Sequence, residues 1–241
     1  MNAPFNRTAS VAELGSKRRT RTPLSERKLP DYTIGEEIVN TASHITGALF
    51  GVLALVSCVL TASARGNVWG IVSGAVYGST LILLYTISSI YHALPRNTGK
   101  KVMQVIDHCT IFFLISGTYT PVVLCNIRPY SPAWGWAIFG VVWGCAVIGA
   151  VLNAIDLKKY AVFSMICYPG MGWCIVVAAK VAFASVPTPA LMWILAGGIA
   201  YTLGAVMYGL GRTHRYMHSV FHIFVLIGSV TQYIGIIAYV M

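Results

Sequence analysis

His218-Ser219-Val220-Phe221-His222-Ile223-Phe224-Val225-Leu226-Ile227-Gly228-Ser229 opens an apolar run that continues to Val240. The run, residues 219–240, contains no Asp, Glu, Lys or Arg. It is long enough to cross a hydrocarbon core, which takes roughly 20 residues of helix. Two histidines sit at its edge, four positions apart. On a helix that spacing puts both rings on one face, about 6 Å apart along the axis. Ionisable groups in or beside a span are costly, and they usually face a protein interior where they do something specific.

Six more runs of the same kind precede this one, at residues 40–62, 68–93, 102–124, 133–155, 161–181 and 191–210. Turn-forming or charged breaks separate them: Arg65-Gly-Asn67, Pro95-Arg-Asn-Thr-Gly99, Arg128-Pro-Tyr-Ser-Pro132, Asp156-Leu-Lys-Lys159, Pro187-Thr-Pro189 and Gly211-Arg-Thr-His214. Across 241 residues, 56% are hydrophobic and 10% charged, whereas soluble domains are about a quarter charged. The expected fold is all-α: a polytopic protein of seven transmembrane helices, integral to the cell membrane. One domain is expected over residues 32–241, behind a basic, disordered cytoplasmic tail at 1–31. The Arg18-Arg19 pair in that tail lacks the apolar core of a twin-arginine signal, and no cleavable signal peptide is visible.

Net charge is +10, yet seven of the seventeen basic residues precede Asp31. A membrane-adjacent tail accounts for them better than nucleic-acid binding does. The same charges predict orientation, because cytoplasmic loops are enriched in Lys and Arg. With the N-terminus inside, fourteen basic residues fall on the cytoplasmic side and three (Arg65, Arg128, Lys180) opposite. The expectation is N-in, C-out.

Six cysteines lie in or beside apolar runs without a C-x-x-C pair, which suits packing rather than disulfides. Gly47-x-x-x-Gly51 is a close-packing motif. Pro169-Gly-Met-Gly172 is expected to bend the fifth span.

On this topology the polar residues converge. His92 closes the second span, Asp107 lies about one turn into the third, and His218 and His222 open the seventh. All four share one depth at the cytoplasmic side. Tyr85, Ser88 and His92 form one stripe of the second span, and His218, His222 and Ser229 one of the seventh. Three neutral imidazoles form an open tetrahedral set for a catalytic metal such as Zn²⁺. The bland alternative makes each histidine an interfacial side chain. His44 enters at the same level and is a candidate neighbour of the site. His108 points about 100° away from Asp107 and is expected to pack elsewhere, and His214 to be solvated.

Glu36-Glu37, Ser88-x-x-x-His92, Asp107 and His218-x-x-x-His222, in this order and topology, resemble the hemolysin III family. That family is the bacterial branch related to the progestin and adipoQ receptors, which include the adiponectin receptors. The similarity runs over residues 32–241. It implies zinc held by His92, His218 and His222, with Asp107 contacting a water on the metal and Ser88 nearby. It also implies kinship with a wider group that includes alkaline ceramidases, and hence hydrolysis of lipid amides.

Three function classes follow: a metal-dependent hydrolase of a ceramide-like membrane lipid, serving membrane lipid homeostasis; a non-catalytic sensor or receptor with structural zinc; and a cytolytic pore. Seven long spans suit a resident membrane protein rather than a secreted pore. The short external loops leave little room for a protein ligand, which needs a standard-sized interface. A lipid-facing role, with a membrane lipid as substrate or ligand, is the expectation.

Overall fold

The computed structural model describes residues 21–241, and its regular structure is entirely helical. Seven helices are long and apolar enough to cross a membrane: α1 (Ile34–Ala64), α2 (Val68–Ala93), α3 (Thr98–Tyr130), α4 (Pro132–Asp156), α5 (Ala161–Ser185), α6 (Thr188–Leu210) and α7 (Met217–Tyr239). Short connections make successive helices run in opposite directions. The starts of α1, α3, α5 and α7 therefore share one end of the bundle with the ends of α2, α4 and α6. Outward faces carry exposed Leu49, Leu60, Val147, Val177, Phe183 and Ile227, an apolar coat suited to lipid.

α1 begins at Ile34, six residues before the run at Asn40. The cause is local. The Thr33 side chain accepts from the Glu36 N–H while the Glu36 carboxylate accepts from the Thr33 N–H, a reciprocal cap that satisfies two otherwise free donors. The buried stripe of α1 then reads Glu36, Asn40, His44, Gly47, Gly51, Ala54, Cys58 and Ala62. It is polar for three positions and small for five. The small part lets α2 approach closely: a methyl group on Gly47 would fall into the Tyr85 ring, and one on Gly78 into the Leu55 backbone. All six cysteines are free thiols, with Cys58 wholly buried in this α1–α2 contact.

Asn97 caps α3 by accepting from the Lys100 N–H at 2.9 Å. Near its far end α3 passes Pro121, which removes one backbone hydrogen bond, and then takes a π-helical turn at Val123–Ile127. α5 is broken as expected, but the break sits at Trp173, past Pro169. Helix runs to Gly172, a 3-10 stretch follows over Cys174–Ala178, and helix resumes at Ala179. The freed backbone groups find partners. The Tyr119 hydroxyl donates to the Gly172 carbonyl at 2.7 Å and accepts from the Ile175 N–H at 3.3 Å. The Trp173 indole donates to Thr202 of α6 at 3.1 Å.

Of the tail expected over residues 1–31, residues 1–20 lie outside the described part. Residues 21–33 form a strap across the end of the bundle where α1 begins. Along it, the Thr22 N–H donates to Asp156 at 2.7 Å, Lys101 donates to the Ser25 carbonyl at 2.8 Å, and Arg96 donates to the Pro30 carbonyl at 2.9 Å and to Asp31 at 3.1 Å.

A candidate metal centre at one end of the bundle

Two helices deliver the histidines. His92 comes from the last turn of α2, and His218 and His222 from the first two turns of α7. One ring nitrogen from each lies within 4.8 Å of the other two, and all three residues are buried. His218 Nε2 and His222 Nε2 stand 3.0 Å apart. These three residues could hold a metal ion.

The surroundings of His92 suit that use. Its Nδ1 lies 2.6 Å from the Glu37 carboxylate. A carboxylate only accepts, so Nδ1 carries the proton and Nε2 presents its lone pair. His92 Nε2 is buried without a hydrogen-bond partner, as is His222 Nδ1. A buried nitrogen left unpaired is costly, and coordination of a cation would satisfy the one on His92. A carboxylate behind a ligating imidazole is the usual way to fix its tautomer and ring orientation.

Glu37 is itself held. Its other oxygen lies 2.7 Å from Lys100 Nζ, and Lys100 also donates to the carbonyls of His92 at 3.1 Å and Leu94 at 2.9 Å. Lys100 is only 3% exposed. One Glu–Lys pair thus joins the start of α1, the end of α2 and the start of α3. Glu36 turns the other way. It accepts from the Tyr216 N–H at 2.7 Å and lies 3.4 Å from Arg215, fastening the start of α7 to α1. Tyr216 has φ 61°, a left-handed conformation that non-glycine residues rarely adopt.

Asp107 is buried at the same end, outside the three-donor cluster, with its carboxylate 3.6 Å from His108 Nδ1. Ser88 is 2% exposed and lies one turn before His92 on its face of α2. His44 stacks on His222, with ring centroids 3.8 Å apart, and meets Tyr85 edge-on at 5.0 Å. Deeper in the bundle, the Tyr85 and Tyr201 hydroxyls both meet the Ser229 hydroxyl, at 2.7 and 2.8 Å. His108 departs from expectation. It stays within 3.6 Å of the Asp107 carboxylate because its Nδ1 bonds the Gln104 carbonyl of its own helix at 2.8 Å, and its Nε2 lies 3.4 Å from the Tyr208 hydroxyl of α6. His214 is exposed.

Sequence reasoning assigned no role at the site to three residues here, Glu37 among them although it belongs to the Glu36-Glu37 pair that carries the family resemblance. Lys100 counts only as loop charge, and Glu37 lies outside the expected first span. Tyr32 belongs to the strap, yet its ring stacks on His218 at 4.8 Å and tilts against His92 at 5.7 Å. Burial above all, then Tyr91, Tyr208, Glu37 and Asp107 nearby, pushes the Tyr32 phenol well above its ordinary pKa, so it stays protonated. The Thr33-x-x-Glu36 cap spacing was the signal that would have drawn Glu37 into the helix and towards the site.

Comparison with known proteins identifies the family. Residues 32–233 match the family model described as haemolysin-III related. The chain is 33% identical over 208 residues to Hemolysin-3 of Bacillus cereus, covering 86% of this chain and 93% of that protein. It is equally similar to the Hemolysin-3 homolog of Bacillus subtilis (strain 168), covering 96% of it. It is 26% identical over 227 residues to the human monocyte to macrophage differentiation factor, covering 91% of this chain and 90% of the relative. With its seven membrane-length helices and a match spanning most of its length, the chain is a multi-pass integral membrane protein that belongs to the haemolysin-III related family.

Proposed function

We propose that this protein is a zinc-dependent hydrolase of membrane lipid amides, ceramide-like acyl lipids, working at the cytoplasmic side of the plasma membrane. The observation that carries the reading is the donor set. Three buried imidazoles converge and one is backed by a carboxylate; three protein ligands are the number a catalytic zinc uses when it keeps a position for a reacting group. His92, His218 and His222 would hold the ion. Bound Zn²⁺ supplies a Lewis acid and brings the pKa of a water towards about 7.

The chain's own residues do the rest. Asp107, buried at this end and outside the donor cluster, accepts the proton that water gives up and passes it to the leaving amine. Ser88 orients the acyl carbonyl or the Asp107 side chain. Glu37 keeps the His92 lone pair directed into the site. An acyl lipid already in the bilayer meets the apolar outer faces of the helices and needs no external domain.

The sidedness rests on the fourteen-to-three distribution of basic residues. A reporter inserted near Thr98 should read as cytoplasmic, and a reading outside would place the site at the other face. The function is tested by metal analysis and fatty-acid release on the purified protein, using ceramides and other acyl amides in bilayers. Asp107→Asn should retain zinc and lose turnover by about 10²–10⁴-fold, the scale of general-base catalysis, while His222→Ala should lose zinc. Zinc-replete wild type that releases no fatty acid above the His222→Ala rate would leave a structural metal, tying α2 to α7 in a sensor, as the better account.

A further inference from the structure

We infer that the strap over residues 21–33 is a lid on the water-facing side of the metal centre, with Tyr32 as its plug. The inference rests on the metal reading above, and it concerns access rather than chemistry.

The cover over each histidine ring shows where the lid must be. His222 is stacked by His44 and flanked by Phe221, both on transmembrane helices. His92 packs against Tyr91 at 4.5 Å, and His218 against Tyr208 at 5.6 Å and Phe221 at 5.5 Å. All of these covers are parts of helices. Among the described residues, Tyr32 is the one aromatic neighbour of the cluster that comes from outside the seven helices. It is stacked nearly parallel to His218, with an interplanar angle of 20°, and it also touches His92. A solute approaching His218 from the end of the bundle therefore meets Tyr32 first.

Next to Tyr32 the strap is built to let go, while its far part is fastened to buried Asp156 through the Thr22 N–H. Its regular structure is a three-residue 3-10 turn, Leu24–Glu26, so no cooperative helix must melt for it to lift. Its fasteners near Tyr32 are exposed: the Arg96–Asp31 pair has side chains 51% and 88% exposed. The other Arg96 bonds run to the carbonyls of Leu29 and Pro30. Pairs of this kind contribute little and are screened by salt. Local opening of weakly held segments is the ordinary low-energy motion of a folded chain. Beneath it, Glu37, Lys100 and the helix ends keep the ligands in place when the strap moves.

A lid has a kinetic signature that a ligand support lacks. It changes the rates of metal loss and uptake together and leaves equilibrium affinity alone. The experiment uses the full-length protein in lipid nanodiscs, loaded with zinc, and follows extraction by excess EDTA and affinity by competition. Tyr32→Ala should speed extraction by about tenfold, as expected when the open fraction rises by that factor, and Arg96→Ala by about two- to fivefold, the range an exposed pair can supply, with affinity within about threefold in Tyr32→Ala and unchanged in Arg96→Ala. Tyr32→Phe, which keeps the ring, should match wild type. Added salt should speed extraction from wild type and have less effect on Arg96→Ala. Unchanged extraction in both variants would overturn the lid. So would an affinity loss as large as the rate gain, which would make Tyr32 a support for His218. Modification of His218 by diethyl pyrocarbonate in metal-stripped protein gives a second readout that needs no metal, and the same order of variants is expected. A wild-type chain that never binds zinc would sink the metal reading, while this second readout would still decide the lid: equal modification in wild type and variants would remove it.

Discussion

Lys100 and Arg128 are both basic residues in loops or helix ends of this bundle, and they live in opposite surroundings. Lys100, at the end where α1 begins, is 3% exposed, and its ammonium is shared among Glu37 and two carbonyls. Arg128, at the other end, lies over the Trp69 ring at 3.9 Å and donates to the Leu124 carbonyl at 3.1 Å. Around it are the half-exposed rings of Trp69, Trp136 and Tyr130, the composition of an interfacial belt. One end spends its charges internally, holding ring nitrogens in a chosen direction. The far end places a cation and indoles where lipid headgroups meet water.

The largest effect should come from removing Glu37. In Glu37→Ala the Lys100 ammonium stays buried and the His92 Nδ1–H loses its acceptor. Breaking one partner of a buried pair costs about 3–5 kcal/mol. Loss of the carboxylate behind a ligating histidine lowers metal affinity about 10–100-fold. Thermal unfolding and zinc competition in detergent would measure both. Glu37→Ala/Lys100→Met should regain much of the stability, because the unpaired charge has gone, but not the metal affinity. If the single variant binds zinc as wild type does, the contrast between the two ends loses its functional meaning.

Glu36 should matter less, and differently. Its carboxylate accepts from the Thr33 N–H, the Thr33 hydroxyl and the Tyr216 N–H. It thereby holds a helix cap and a left-handed residue just before His218. Glu36→Ala should cost about 1–3 kcal/mol, the range for a lost cap and an orphaned donor. Metal affinity should fall less than in Glu37→Ala, since no ring nitrogen is touched. A larger affinity loss in Glu36→Ala would mean that the αL turn at Tyr216 (φ 61°), rather than the Glu37–His92 bond, sets the site.

How much of this the sequence carried depends on what each residue's neighbours share with it. The seven spans were legible because hydropathy is a property of contiguous residues. The meeting of His92 with His218 and His222 was legible because alternation of direction fixes depth, and an i,i+4 pair fixes a face. Glu37 and Lys100 were not, because each was read through its local segment. Glu37 fell before the apolar run that was taken to begin at Asn40, and Lys100 fell in a loop where basic charge normally serves orientation. A capping box and an N-capping Asn97 extend both helices outward by several residues, and that turns both side chains onto inward faces. Tyr32 was beyond reach for another reason: the strap's path depends on side-chain contacts with α3, α4 and α7 that no periodicity records. The break in α5 was legible as to cause. Its position, at Trp173, depends on Tyr119 and Thr202 supplying partners from other helices.

The smallest effect is expected at Arg128, and it tests whether the ends are independent. α3 spans both, with Lys100 and Asp107 near its start and Arg128 at its finish. The π-helical turn at Val123–Ile127 stands between them. Arg128→Ala removes a cation over an aromatic face at a partly exposed site, a loss of about 0.5–1 kcal/mol. It also leaves the Leu124 carbonyl, which headgroups or water can satisfy. Zinc affinity should be unchanged, because additivity holds for sites well separated and without shared partners. Trp69→Leu should reproduce the same small loss, and the double variant should show that the two residues act as one contact. If Arg128→Ala instead weakened metal binding as Glu37→Ala does, α3 would be transmitting strain along its length through the π turn, and the two ends would form one coupled unit.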